Sequence, residues 1–168
     1  YCILSYLERY LYLHTNGIVM TSPGYLDHIK VIRPNINHQV VLNGIDPIMI
    51  APVKETLPIK GPIKIVYAGN LGVAQNMAQF VKLVGPMKDI TLQLIGAGSQ
   101  LDQIKKMIDD NGYTQIELIP PMKREHLTEV YQNADILYLQ LYEHPYFHTV
   151  IPSKVFEYLA SGKPILYH

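Results

Sequence analysis

The sequence predicts an α/β fold built on a parallel, doubly wound sheet with helices on both faces. Two observations carry this expectation. Apolar runs rich in β-branched residues alternate with amphipathic stretches of helical period from residue 63 onward. The first two of these runs end in glycine, as buried parallel strands do when they turn into a helix. Strands alternating with helices connect by right-handed crossovers.

The elements follow in chain order. In the first 60 residues, "YLERYLYLHT" has a helical pattern and "GIVMT" that of a strand. "SPGYLDHIK" opens on a Ser-Pro helix start, and "HQVVLNGID" reads as a strand plus a turn. Residues 46–62 are rich in proline and lack periodicity, and so read as a linker. After it come "IKIVYAG" (63–69) as strand and "QNMAQFVKLVG" (75–85) as helix, then "ITLQLIG" (90–96) and "LDQIKKMIDDNG" (101–112). "IELIP" (116–120) and "REHLTEVYQN" (124–133) form a third pair, and "ADILYLQL" (134–141) is a fourth strand. An irregular loop, a short helix within 151–162 and the strand "PILYH" close the chain. Ligands of such sheets bind beyond the carboxyl ends of the strands, which directs attention to the loops after residues 68, 96, 119 and 140.

Composition removes several function classes. Fourteen basic and 14 acidic side chains leave a formal net charge of zero, so there is no general field for nucleic acid, an anionic membrane or a cationic partner. Any contact with a polyanion must be local. Cys2 is the only cysteine, which excludes an intrachain disulfide and suits a reducing compartment; the expected location is the cytoplasm. There is no signal-peptide pattern and no apolar run near the roughly 20 residues that span a bilayer. The 13 tyrosines are scattered rather than laddered and read as amphipathic residues at the edge of the core. Because the sequence starts at Tyr1 and stops where a strand should lead onward, a piece of a longer chain is expected.

In "IPSKVFEYLASGKPI" (151–165), Ser153 is placed as N-cap, Gly162 as the left-handed stop and Pro164 as the barrier to continuation. Helical spacing puts Val155, Phe156, Leu159 and Ala160 on an apolar side and Lys154, Glu157, Tyr158 and Ser161 on the other. Glu157 either complements the helix dipole and pairs with Lys154, or meets a ligand. "YAGNLGVAQN" (67–76) sets Gly69 and Gly72 between a strand and a helix start, where backbone N–H groups could hold a phosphate; a tight turn is the structural reading of the same residues. "IGAGSQL" lacks the third glycine of a dinucleotide loop, since Leu101 stands there, and reads as a second glycine turn. In "YEHPYFH" (142–148), Pro145 argues against the helix that would let His144 and His148 share a metal, and a mobile loop covering a ligand is expected. Ser153 has no positioned base, so no acyl-transfer triad is predicted.

With "VVLNGID", "YAGNLG", "LIGAG" and "PSKVFEYLASGKPIL" in this order, nearly the whole chain resembles the retaining glycosyltransferases of family 4, which have the GT-B architecture. The bacterial capsule, O-antigen and colanic-acid sugar transferases are the nearest in flavour. The resemblance implies two Rossmann-like domains facing across a cleft. Residues 1–51 would be the closing part of the acceptor-side domain, and 52–168 the nucleotide-sugar donor-binding domain, cut at its C-terminus. It further implies a donor-binding set of Gly69, Asn70, Gly72, Pro120, Lys123, Ser153, Lys154 and Glu157. Glu157 would receive the ribose hydroxyls, and Ser153 and Lys154 would stand where a helix start faces the diphosphate. Thr149 occupies the position of the first acid of the family's glutamate pair, and Asn70 and Gln75 replace a basic pair. Phosphate neutralisation is thereby left to the glycine loop, Lys154 and Lys123. No cofactor and no metal is implied, and the catalytic residues are expected ahead of Tyr1. The implied reaction moves a hexose-type sugar from a nucleoside diphosphate, expected to be UDP, to a sugar or lipid-linked acceptor in cell-surface polysaccharide synthesis, with no nucleic-acid partner. Any peripheral contact with the inner membrane would come from parts outside these residues. A nucleotide-sugar 2-epimerase, which shares the architecture, and a non-catalytic nucleotide-sugar binding module remain open.

Overall fold

The computed structural model describes residues 2–50 and 60–168. The chain divides into two compact units, Tyr1–Gly44 with Glu143–Ser153, and Ile45–Tyr142 with Lys154–His168. The division predicted between residues 51 and 52 lies outside the described residues.

In the first unit, helix α1 (Cys2–His14) leads to strand β1 (Ile18–Met20), a 3-10 turn (Pro23–Tyr25), helix α2 (Leu26–Ile32) and strand β2 (His38–Val40). The two strands pair in parallel, Ile18 with His38 and Met20 with Val40. Met20, Ile29 and Ile36 are its buried core. Ser22 caps the 3-10 turn by accepting from the Gly24 N–H, and its hydroxyl donates to the Thr149 carbonyl. Gly24 lies so close to Thr149 that a Cβ would sit 2.6 Å from the Thr149 Cα. The segment expected to be a mobile loop makes these contacts through Thr149, and residues Pro145–Thr149 form a 3-10 helix. Pro145 starts that turn because its fixed φ suits a first position and its missing N–H costs nothing there.

In the second unit, strand β3 (Ile63–Ala68) is followed by helix α3 (Met77–Val84), strand β4 (Ile90–Ile95) and helix α4 (Leu101–Asn111). Then come strand β5 (Ile116–Ile119), helix α5 (Arg124–Gln132), strand β6 (Ile136–Leu139), helix α6 (Lys154–Ala160) and strand β7 (Ile165–Tyr167). All five strands are parallel in the order β5-β4-β3-β6-β7. The α/β fold with helices on both faces is thus as the sequence predicts. Alternation along β3 makes two cores: Ile65 and Tyr67 pack with α3 and α4 on one face, and Val66 and Ala68 pack with α5 and α6 on the other. On α3 the buried set Met77, Ala78, Phe80, Val81 and Val84 repeats at helical spacing. α3 starts two residues later than predicted, because Val73–Gln75 is a 3-10 turn closed by Asn76 in the left-handed region at φ 45°.

The beginning of the expected linker is not a linker. Asp46 caps a 3-10 turn at Pro47–Met49, Met49 is 2% exposed within the second core, and the Thr128 hydroxyl donates to the Ile48 carbonyl at 3.3 Å. Proline here fixes a docked turn rather than a free spacer. No helix among the described residues is long and apolar enough to cross a membrane.

Candidate functional site

The sheet reverses its winding between β3 and β6, and the two strands pair only as Ile65 with Ile136 and Val66 with Leu137. Beyond those pairs the Ala68 N–H donates instead to the Tyr158 hydroxyl of α6 at 3.2 Å. The carboxyl end of β3 is thus tied to a side chain, in the region where open α/β sheets hold ligands.

A cavity of about 310 Å³ opens at these strand ends, lined by Ala68, Gly69 and Asn70, residues 95–97, Pro121, Met122, Leu127 and Lys154. The loops after β3, β4 and β5 contribute to its lining. Two close approaches shape the floor. Gly69 donates its N–H to the Ile95 carbonyl and Leu71 to that of Ala97, both at 2.8 Å. The Gly69 N–H is thus taken up by the neighbouring strand. Gly69 is needed for space, since a Cβ would lie 2.8 Å from the Tyr67 Oη and 3.3 Å from the Lys154 Cε. Gly96 adopts φ +147°, and a Cβ there would lie 1.9 Å from the Gly69 carbonyl oxygen, a conformation and a space open to glycine alone.

The sides of α6 depart from the expected ones at three positions, while Val155 packs against the second core as expected. Tyr158 is fully buried and Ser161 is 3% exposed, whereas Leu159 is 62% exposed. The inward face succeeds because each polar group on it has a partner: Tyr158 through Ala68, and the Ser161 hydroxyl through the Tyr158 carbonyl at 2.6 Å. Tyr158 meets Tyr131 of α5 edge to face, with ring centroids 5.2 Å apart. Burial pushes both phenols well above the ordinary tyrosine range.

On the same face, Lys154 Nζ is 3.0 Å from Glu157 Oε2, with both side chains largely buried. The Tyr131 hydroxyl also donates to that oxygen, at 3.5 Å, and Arg124 Nη2 stands 4.0 Å from Oε1. Lys154 lies 5.9 Å over the Tyr158 ring, so its ammonium is held between a carboxylate, an aromatic face and the glycine floor.

Of the residues singled out from the sequence, Gly69, Asn70 and Lys154 come together at the cavity, with Glu157 one ion pair behind. Gly72 packs against the side chains of Asn70 and Gln75, which hydrogen-bond each other at 3.1 Å. Pro120 lines a different hollow of about 510 Å³ beside α4 and β5. Lys123 is the N-cap residue of α5, without a side-chain cap bond. Ser153 is exposed and falls in the first unit. Sequence reasoning passed over Gly96 and Ala97, read only as a turn, and Met122 and Leu127, whose one signal was their place after the third strand.

Tyr158→Phe tests the tie between α6 and β3. Loss of the hydroxyl leaves the buried Ala68 N–H unpaired and should cost about 1–3 kcal/mol, read as a lower midpoint in urea. An unchanged midpoint would mean that the Ala68 N–H has another acceptor.

Residues 52–168 match the family described as glycosyl transferases group 1. The chain is also similar in structure to a sucrose-phosphate synthase from Thermosynechococcus elongatus, with TM-score 0.78 and 16% identity over 96% of this chain and 43% of that one. It resembles Anabaena HepE, solved with UDP and glucose, with TM-score 0.69 and 13% identity over 94% of this chain and 45% of that one. A third similar structure is WaaG, a glycosyltransferase involved in lipopolysaccharide biosynthesis, with TM-score 0.66 and 12% identity over 89% of this chain and 43% of that one. The chain thus spans less than half of each. No curated protein matches it by sequence.

Proposed function

Because the chain belongs to the group 1 glycosyl transferases, we propose that its second unit binds a nucleoside-diphosphate sugar, with the diphosphate against Lys154 and the ribose against Glu157. The whole protein then transfers a hexose-type sugar, with retained configuration, to a sugar or lipid-linked acceptor in cell-surface polysaccharide synthesis. The donor in this reading is UDP-linked, in keeping with the UDP and glucose held by HepE. The polysaccharide assignment is in keeping with the lipopolysaccharide role of WaaG. The observation that carries the proposal is the Lys154–Glu157 pair, held at 3.0 Å beside a glycine-floored cavity at the carboxyl ends of β3 and β4.

The chemistry follows from charge. As the bond between anomeric carbon and diphosphate oxygen lengthens, positive charge spreads over the sugar ring and negative charge gathers on the departing diphosphate. Lys154 supplies a preorganised cation for that negative charge, with no metal in the scheme. Gly69 and Gly96 let the backbone approach without side chains in the way. Glu157 accepts hydrogen bonds from the ribose and fixes the nucleotide relative to Lys154.

Calorimetric titration of the chain with UDP, GDP and uridine tests the reading. UDP should bind more tightly than either of the others. Lys154→Ala should weaken UDP about tenfold, the loss of one charge-assisted hydrogen bond, and leave uridine unchanged. No binding of UDP to the native chain would overturn the donor site, and equal affinity for UDP and GDP would overturn the base assignment. Donor turnover by the whole protein separates a transferase from a module that only binds.

A further inference from the structure

The geometry points to Arg124 as a second diphosphate-binding cation of this site. The inference rests on the donor-binding reading above and names what completes neutralisation of the ligand. A nucleoside diphosphate carries more negative charge than one cation can match. Among the residues lining the cavity, Lys154 alone is charged, and it shares that charge with Glu157 at 3.0 Å. The loop after β3 adds no cation: Asn70 and Gln75 are neutral and satisfy each other at 3.1 Å.

Arg124 is the first residue of α5 and follows the cavity wall formed by Pro121 and Met122. Glu157 bridges its own helix α6 and helix α5. Oε2 takes Lys154 and Tyr131, while Oε1 faces the Arg124 guanidinium at 4.0 Å. One carboxylate therefore holds a cation from α5 beside a cation from α6.

The two cations are bound differently. Lys154 is largely buried, whereas Arg124 is 65% exposed and in long contact only, so it can turn toward a phosphate without breaking a buried bond. Its planar fork suits two phosphate oxygens at once, which an ammonium cannot match. Arg124 thus binds the ligand directly, and Glu157 keeps it within reach.

The test is calorimetry with UDP and with uridine on the native chain, Arg124→Ala and Arg124→Lys. Arg124→Ala should weaken UDP about tenfold, leave uridine and the melting temperature unchanged, and flatten the dependence of UDP affinity on sodium chloride. Arg124→Lys should recover part of the loss, keeping the charge without the fork. UDP affinity unchanged in Arg124→Ala would overturn the inference while leaving the donor site standing. An equal loss for UDP and uridine would also overturn it, since that pattern belongs to a residue that only props Glu157. A native chain that binds no UDP would remove the donor site itself and this inference with it.

Discussion

Gly96→Ala is expected to destabilise the chain by about 3 kcal/mol or more, the sum of a strained backbone and an overpacked contact. The methyl group would be placed 1.9 Å from the Gly69 carbonyl oxygen. That oxygen belongs to backbone rather than to a side chain that could swing away. Relief requires the ends of β3 and β4 to part, which strains the Gly69 to Ile95 bond at 2.8 Å and the Gly96 to Ile119 bond at 2.9 Å. For a chain of this size the melting temperature should fall by about 10 °C. Gly112→Ala is the control. Its φ is also positive, at +62°, but nothing lies within 4 Å of its Cβ, so only the left-handed backbone cost of about 1 kcal/mol applies. Equal melting temperatures for the two variants would show that the crowding at Gly96 is absent in solution.

That contact also marks where sequence reading stops. The strands and helices of the second unit are legible because their burial follows periods of 2 and 3.6, as in Ile65 and Tyr67 against Val66 and Ala68. Gly96 is not, because the oxygen that excludes its side chain comes from another loop. The inward face of α6 is misread for a chemical reason: Tyr158 and Ser161 count as polar until Ala68 and the helix backbone are there to pair with them. Met49 looks like part of a linker because its partners in the core lie far along the chain. Arg124 gives no local sign, since Glu157 is on a different helix. Lys154 and Glu157 are legible together because they are neighbours at helical spacing.

Glu157→Gln is expected to lower UDP affinity about ten- to hundredfold, the effect of losing charge-assisted hydrogen bonds worth roughly 1.5–3 kcal/mol. Glutamine keeps the size of the side chain, but it offers one acceptor oxygen in place of two and no charge to hold Lys154 at 3.0 Å or Arg124 at 4.0 Å. Two ribose hydroxyls that both donate to the carboxylate therefore lose at least one partner. Uridine, which carries the ribose but no phosphate, should weaken along with UDP. This distinguishes Glu157→Gln from Lys154→Ala and Arg124→Ala, which should spare uridine. A purely structural Glu157 predicts the opposite pattern. Removing its charge strands Lys154, largely buried beside Tyr158, so the melting temperature falls while the affinities for UDP and uridine hold. Melting and titration on the same variant therefore separate the two roles, and a lower melting temperature with unchanged affinity for both ligands would sink the ribose assignment.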